Sequence, residues 1–433
     1  MTIATDGTHN AQRQQQSFLE GYDRIPLDKP AERTAFFIAA LRSDWQALYA
    51  ELRRNRPILE VPLFTIIAAG NDVQQALVNE HAFFVSPYRE TIDPAIGPFM
   101  LSRDGSEINW QEKGLMQALL RFEDLPRVVE LVERVAADSL RNGDSKIELV
   151  SRLGRLIPLR IVKDHFGFDN ASDADMLRWS RAIQSDIFRN FANVPAIRET
   201  SVRAGAEMQA HVVRLIADRL AGPNLYASSP RPVDRLISQL RSPEPPMVLQ
   251  RAISNICGLL VGAVETMSQA ICQIIEQILL RPPVKRAAID AAHADDMTTL
   301  RAIVWEALRF NPITTLVVRM CARDFSFRLQ SGELVTINAG TRVALSTGSA
   351  QFDEALFPEP QSFRFDRPEG SYMHLGFGPH VCLGRYVAGT AISHAVKQAL
   401  LLPGIDLIPG PEGQIDFGDM RFPEKFYVTK TLG

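Results

Sequence analysis

The chain has 433 residues, 46% of them hydrophobic and 22% charged, with a formal net charge of -3. Charges this evenly balanced exclude a general affinity for nucleic acid or for an anionic membrane, so any partner must be read by a local patch. Four cysteines, Cys257, Cys272, Cys321 and Cys382, have no paired spacing. That excludes a disulfide framework and makes a reducing, cytoplasmic setting the expectation.

Residues 1–25 open with a polar, glutamine-rich stretch that carries no apolar segment of signal or membrane-anchor type, and they read as a flexible tail before one large domain, 26–433. Apolar residues at spacings of three and four predict an amphipathic helix over Thr34–Arg54, and Ile58–Ala69 reads as β. Pro87, Pro94 and Pro98 make Phe83–Met100 a predicted loop, on its residues alone a surface connection. Asp104–Arg121 is a capped helix that carries Trp110 and Lys113. Helical patterning continues over Leu125–Leu140, Ile147–Phe166 with a kink at Pro158, Ser172–Phe191, Ile197–Leu220 and Val233–Leu240.

Met247–Leu280 contains no proline and is apolar almost all round, as a buried helix is. Within it, Gly262, Ala263, Val264, Glu265 and Thr266 set an acid and a hydroxyl in apolar surroundings beside small residues. Buried polar groups need a reason. Either Thr266 back-bonds to its own helix while Glu265 pairs with an arginine, or the two move protons. In the next helix, Leu300–Arg309, Glu306 and Arg309 share a face at i, i+3. Ile313–Met320 and Val335–Val343 read as β. The run His374–Ala388 then places Cys382 among Gly376, Gly378 and Gly384, just before a helical pattern. Glycines let the backbone lie close to a flat ligand, and a helix start favours thiolate over thiol. Cys382 is thus an ordinary buried cysteine or a lone thiolate ligand, a donor set that suits haem iron and not zinc.

The run from Leu375 to Gly384 resembles the cysteine loop of the cytochrome P-450 family, with Gly376, Gly378, His380 and Gly384 in register and Leu375 where a phenylalanine is usual. Gly262 to Thr266 resembles the family's oxygen-activation segment, Ala263 replacing a glycine. Glu306, Arg309 and FRFDRP with Arg367 stand in the family's order. The resemblance implies a mainly α fold with small β elements. It also implies haem b on Cys382 and a monooxygenase that oxidises a hydrophobic small molecule with electrons from a separate ferredoxin or flavodoxin. By the same resemblance, Glu265 and Thr266 deliver protons, and Gly262, Ala263, His380, Arg319, Trp110 and Lys113 contact the cofactor. Leu316, Val317 and Val264 line the substrate chamber, and Glu306, Arg309 and Arg367 form a structural triad. Arg385 and Lys113 are candidates for the donor's docking face. A peroxide-using or hydroperoxide-rearranging haem-thiolate enzyme is the alternative, with a non-enzymatic haem carrier or sensor as a third reading.

Overall fold

The computed structural model describes residues 2–3, 17–104, 107–141, 144–222 and 228–431. They form two compact units, each assembled from stretches distant in sequence: Met1–Pro87 with Pro312–Cys382, and Tyr88–Asn311 with Leu383–Gly433. Helices dominate and the sheets are small, the class that the sequence predicts.

The first unit holds a five-stranded sheet of β1 (Ile58–Val61), β2 (Phe64–Ile67), β3 (Phe83–Phe84), β4 (Val317–Cys321) and β5 (Arg342–Leu345), in the order β1-β2-β5-β4-β3. Only β2 and β5 run parallel, with Thr65 opposite Val343. Side chains alternate between faces, as strand geometry requires. Leu59, Val61, Ile66, Ala344 and Val318 pack with Phe18, Tyr22, Phe37 and Tyr49 from the helices, whereas Ile58, Ile67, Val343, Leu345 and Cys321 pack with Phe83, Phe327 and Met373. The helix expected over Thr34–Arg54 is two, Pro30–Ser43 and Trp45–Asn55. Asp44 breaks it at φ -155° and caps the second, accepting the Ala47 amide at 2.9 Å. The flexible tail is also corrected from Ser17 onward. Phe18–Arg24 is a helix whose first amides, those of Phe18 and Leu19, donate to the Glu51 carboxylate at 2.8 and 2.9 Å. Residues 4–16 lie outside the described residues.

In the second unit we label α1 (Arg89–Ile96), α2 (Glu107–Leu119), α3 (Asp173–Phe188), α4 (Pro195–Ala221), α5 (Leu249–Leu279), α6 (Met297–Phe310) and α7 (Arg385–Leu400). The predicted buried helix is α5. It is long and apolar enough to cross a membrane by length and composition, but its most apolar window is 89% buried, as a core helix is. Helices α3, α4, α6 and α7 all pack on it.

The predicted loop over Phe83–Met100 contains α1, despite Pro94 within it. Proline there leaves the Glu90 carbonyl without its helical donor. Arg198 of α4 replaces that donor, its Nη1 lying 2.8 Å from Glu90 O. The helix expected over Ile147–Phe166 begins after a strand, Lys146–Glu148, and widens into π-turns at Val150–Gly154 and Ile161–Phe166 on either side of Leu156–Arg160. The Arg155 amide reaches five residues back to Val150 O at 2.7 Å. A widened turn beside Pro158 takes the place of the expected kink.

Candidate active site

In the first unit, the cysteine loop is shaped by its glycines. Gly376 and Gly378 have φ of +78° and +68°, the left-handed region that side chains disfavour. A Cβ at Gly378 would also stand 3.0 Å from Leu77 O, and one at Gly376 3.0 Å from His380 O. Internal hydrogen bonds close the loop: Cys382 N donates to Leu375 O at 2.7 Å, Val381 N to Gly378 O at 3.1 Å, and Gly376 N to Met373 O at 3.1 Å. Phe377, two residues past the expected aromatic position, packs on the cluster of Leu77 and Met373 and anchors the loop from beneath. Gln351, buried in the segment before the loop, accepts the Met373 amide at 3.0 Å.

The four cysteines separate by environment. Cys257, Cys272 and Cys321 are fully buried, and burial pushes their thiols up, so they stay protonated. Cys382 alone is partly exposed. It is the cysteine placed to ligate.

In the second unit, α5 presents the acid and the alcohol differently. Glu265 is fully buried, whereas Thr266 is half-buried and Gly262, one turn earlier, is exposed. A Cβ built on Gly262 meets no atom within 4 Å, so the backbone there borders open space in an otherwise enclosed helix. Thr266 Oγ1 donates back to Gly262 O at 2.5 Å. Glu265 receives Arg181 Nε at 3.0 Å and Nη2 at 3.5 Å. Both contacts of the structural alternative are therefore present; the Thr266 oxygen keeps acceptor capacity, and burial holds the Glu265 carboxyl above its usual range against the pull of Arg181.

Arg181 does not stop at Glu265. Its Nη1 lies 2.6 Å from Glu424 Oε1, and the other Glu424 oxygen takes Arg155 Nη2 at 2.8 Å. Sequence reasoning missed these three residues. Arg181 is 84 positions from Glu265 and no local pattern marks it; the only hint was that a buried acid needs a cation.

Glu306 and Arg309 form a two-bonded ion pair at 2.9 and 2.7 Å with both side chains fully buried. Arg367 donates to the carbonyls of Pro358 and Glu359 at 2.9 and 3.0 Å and lies over the Phe357 ring, tying down the segment that precedes the cysteine loop. Arg319 is 5% exposed on β4, with Nη1 on Val318 O at 2.9 Å. Lys113 is buried on α2, which takes it off any docking face, while Trp110 is 58% exposed.

Leu316, just before β4, and Val317, its first residue, fall in different apolar clusters. Leu316 packs among Phe18, Tyr22 and Phe37, and Val317 borders the other cluster. Val264 is fully buried, on a different face of α5 from Gly262 and Thr266, and is core. In the first unit, an accessible Cys382 on a loop of left-handed glycines fits a flat, thiolate-held cofactor; in the second, Gly262 and Gly384 border open space, where an added Cβ meets no atom within 4 Å.

A sequence profile described as Cytochrome P-450 matches residues 186–402, half of the chain. The chain is similar to the mycinamicin IV hydroxylase/epoxidase of Micromonospora griseorubida, 27% identical over 400 residues that span 87% of this chain and 94% of that one. Among solved structures it is similar to CYP109Q5 from Chondromyces apiculatus, with TM-score 0.75 and 18% identity over 91% of this chain and 97% of that one. It is also similar to CYP109E1 from Bacillus megaterium in complex with testosterone, with TM-score 0.72 and 18% identity over 89% and 99%. At such identities the structures speak for the fold.

Proposed function

We propose that this chain, which belongs to the cytochrome P-450 family, hydroxylates or otherwise oxidises a hydrophobic small molecule, using dioxygen and electrons from a separate ferredoxin- or flavodoxin-type protein. The observation that carries the residue assignment is that, of four cysteines, only Cys382 is accessible, and it sits on a loop folded by left-handed glycines. Haem b, when bound, supplies the redox centre at which dioxygen is reduced and one oxygen atom passes to the substrate.

The chain supplies ligation, protons and exclusion of water. Cys382 would hold the iron. Gly376, Gly378 and Gly384 would let the backbone approach the ring, and Gly262 with Ala263 would do the same from α5. Arg319, with His380, would serve the propionates, since a guanidinium matches a carboxylate in two bonds. Lys113 could add a point charge, and Trp110 a ring edge, from α2. Thr266 would hold a water through its free lone pairs, and Glu265, whose carboxyl burial holds up, would take protons from the interior network and pass them on. Each turnover consumes two electrons and two protons and yields oxidised substrate and one water, so a route for protons is part of the reaction.

An apolar, bulky substrate is supported by the character of the relatives, one named for hydroxylation and epoxidation and another solved with testosterone. For the electron donor, Arg385 is the remaining candidate contact. It lies over the exposed Tyr386 ring and donates to its hydroxyl at 2.7 Å. A cytoplasmic location fits this dependence on a reduced donor. The reduced, carbon-monoxide-bound absorption spectrum tests the assignment. The wild type should give the thiolate-ligated band and Cys382→Ser should lose it; an unchanged band in the variant would overturn it. Thr266→Ala should then raise reductant consumption per product formed, whereas unaffected coupling would remove the proton role.

A further inference from the structure

Arg181 is shared between two carboxylates. On one side it meets Glu265 through Nε and Nη2; on the other its Nη1 meets Glu424, which Arg155 holds in turn. Exposure rises along this series, from 0% for the Glu265 side chain to 30% for Arg181 and 38% for Glu424. One cation divided between two anions neutralises neither fully, and the buried anion suffers more from the deficit because water does not help it.

We propose that Glu424, from the C-terminal segment, is a positioning residue that sets the proton affinity of Glu265 by competing with it for Arg181. This rests on the proton-delivering role given to Glu265 above. A carboxyl that must both take and release protons near neutral pH works best when its affinity lies near that pH. Paired to Arg181 alone, Glu265 would remain a carboxylate. With Glu424 drawing one guanidinium nitrogen away and adding negative charge nearby, Glu265 keeps its proton to higher pH. The charged groups acting on Glu265 are Arg181 from α3, Arg155 from the Val150–Phe166 stretch and Glu424. Burial raises its pKa most, the two arginines lower it, and Glu424 adds a smaller rise. Glu424 is held in place at its backbone as well, because Arg155 also donates to the neighbouring Pro423 carbonyl at 2.6 Å and so fixes the segment.

The test is an infrared pH titration of the purified holoenzyme, following the carbonyl band of a protonated buried carboxyl, assigned to Glu265 by its absence in Glu265→Gln. Glu424→Gln removes the competing charge and leaves both arginines to Glu265. Its midpoint should move to lower pH, by about a tenfold rise in the acid dissociation constant, and the pH limb of coupling between reductant and product should move with it. Glu424→Asp, which keeps the charge, should restore most of the shift. A midpoint in Glu424→Gln that equals or exceeds the wild-type value would overturn the proposal. The parent reading fails separately: if Glu265→Gln couples as well as wild type, Glu265 is not the proton donor, whatever the infrared midpoints show.

Discussion

Glu306 and Arg309 are both fully removed from solvent, and each is the other's two-bonded partner. Removing one charge would leave the other buried without its two-bonded partner, and breaking such a pair costs about 3–5 kcal/mol. Glu306→Gln should therefore lower the urea midpoint of unfolding steeply, while a side chain with only a surface role would shift it little. The sequence revealed this pair because i, i+3 spacing on a helix determines proximity by itself. It could not do the same for Glu265 and Arg181, which come together only through the packing of α3 on α5. Nor could it show that Leu316 is core: its apolar character is the same on either face of the strand.

Helix α1 is seated by two missing side chains. A Cβ at Gly205 of α4 would stand 2.0 Å from Ala95 O, and one at Gly258 of α5 would stand 2.3 Å from the Phe99 ring. Gln209 Nε2 then donates to Ala95 O at 2.8 Å, and Arg198 takes the Glu90 carbonyl that Pro94 leaves open. Gly205→Ala should force α1 away from α4, because backbone on one side and helix on the other leave nothing flexible to yield. Overpacking of this kind costs about 1–3 kcal/mol, and limited proteolysis should begin within 88–102 in the variant before it does in the wild type. Equal protection would show that α1 is held otherwise. Three prolines made this stretch read as a loop. The helix forms because its freed carbonyl is satisfied by a residue more than a hundred positions away.

Acid sensitivity belongs to the whole molecule, since it compares the folded chain with the unfolded one. His165 is 3% exposed, and burial lowers its pKa from 6.5 to about 4, with Arg127 and Arg235 adding to the fall and Asp124 opposing it. The unfolded chain takes up this proton near 6.5, while the folded chain refuses it until about 4. Its contribution to stability is therefore complete above 6.5 and declines as pH falls toward 4, by ~3 kcal/mol in all. His165→Gln should flatten that part of the curve of urea midpoint against pH. An acid limb as steep as the wild type's would assign the sensitivity to other groups.

Sequence alone determined the helical class, the run of α5, the Glu306–Arg309 pair and the loop that bears Cys382. Each depends on periodicity, on near-neighbour spacing or on glycines whose need is local. Tertiary structure alone decided which cysteine is accessible, that Lys113 is buried, that Val264 is core, and that Glu265 shares Arg181 with Glu424. Those properties are set by what surrounds a side chain in space, and a linear pattern carries no information about neighbours that the chain brings together only when it folds.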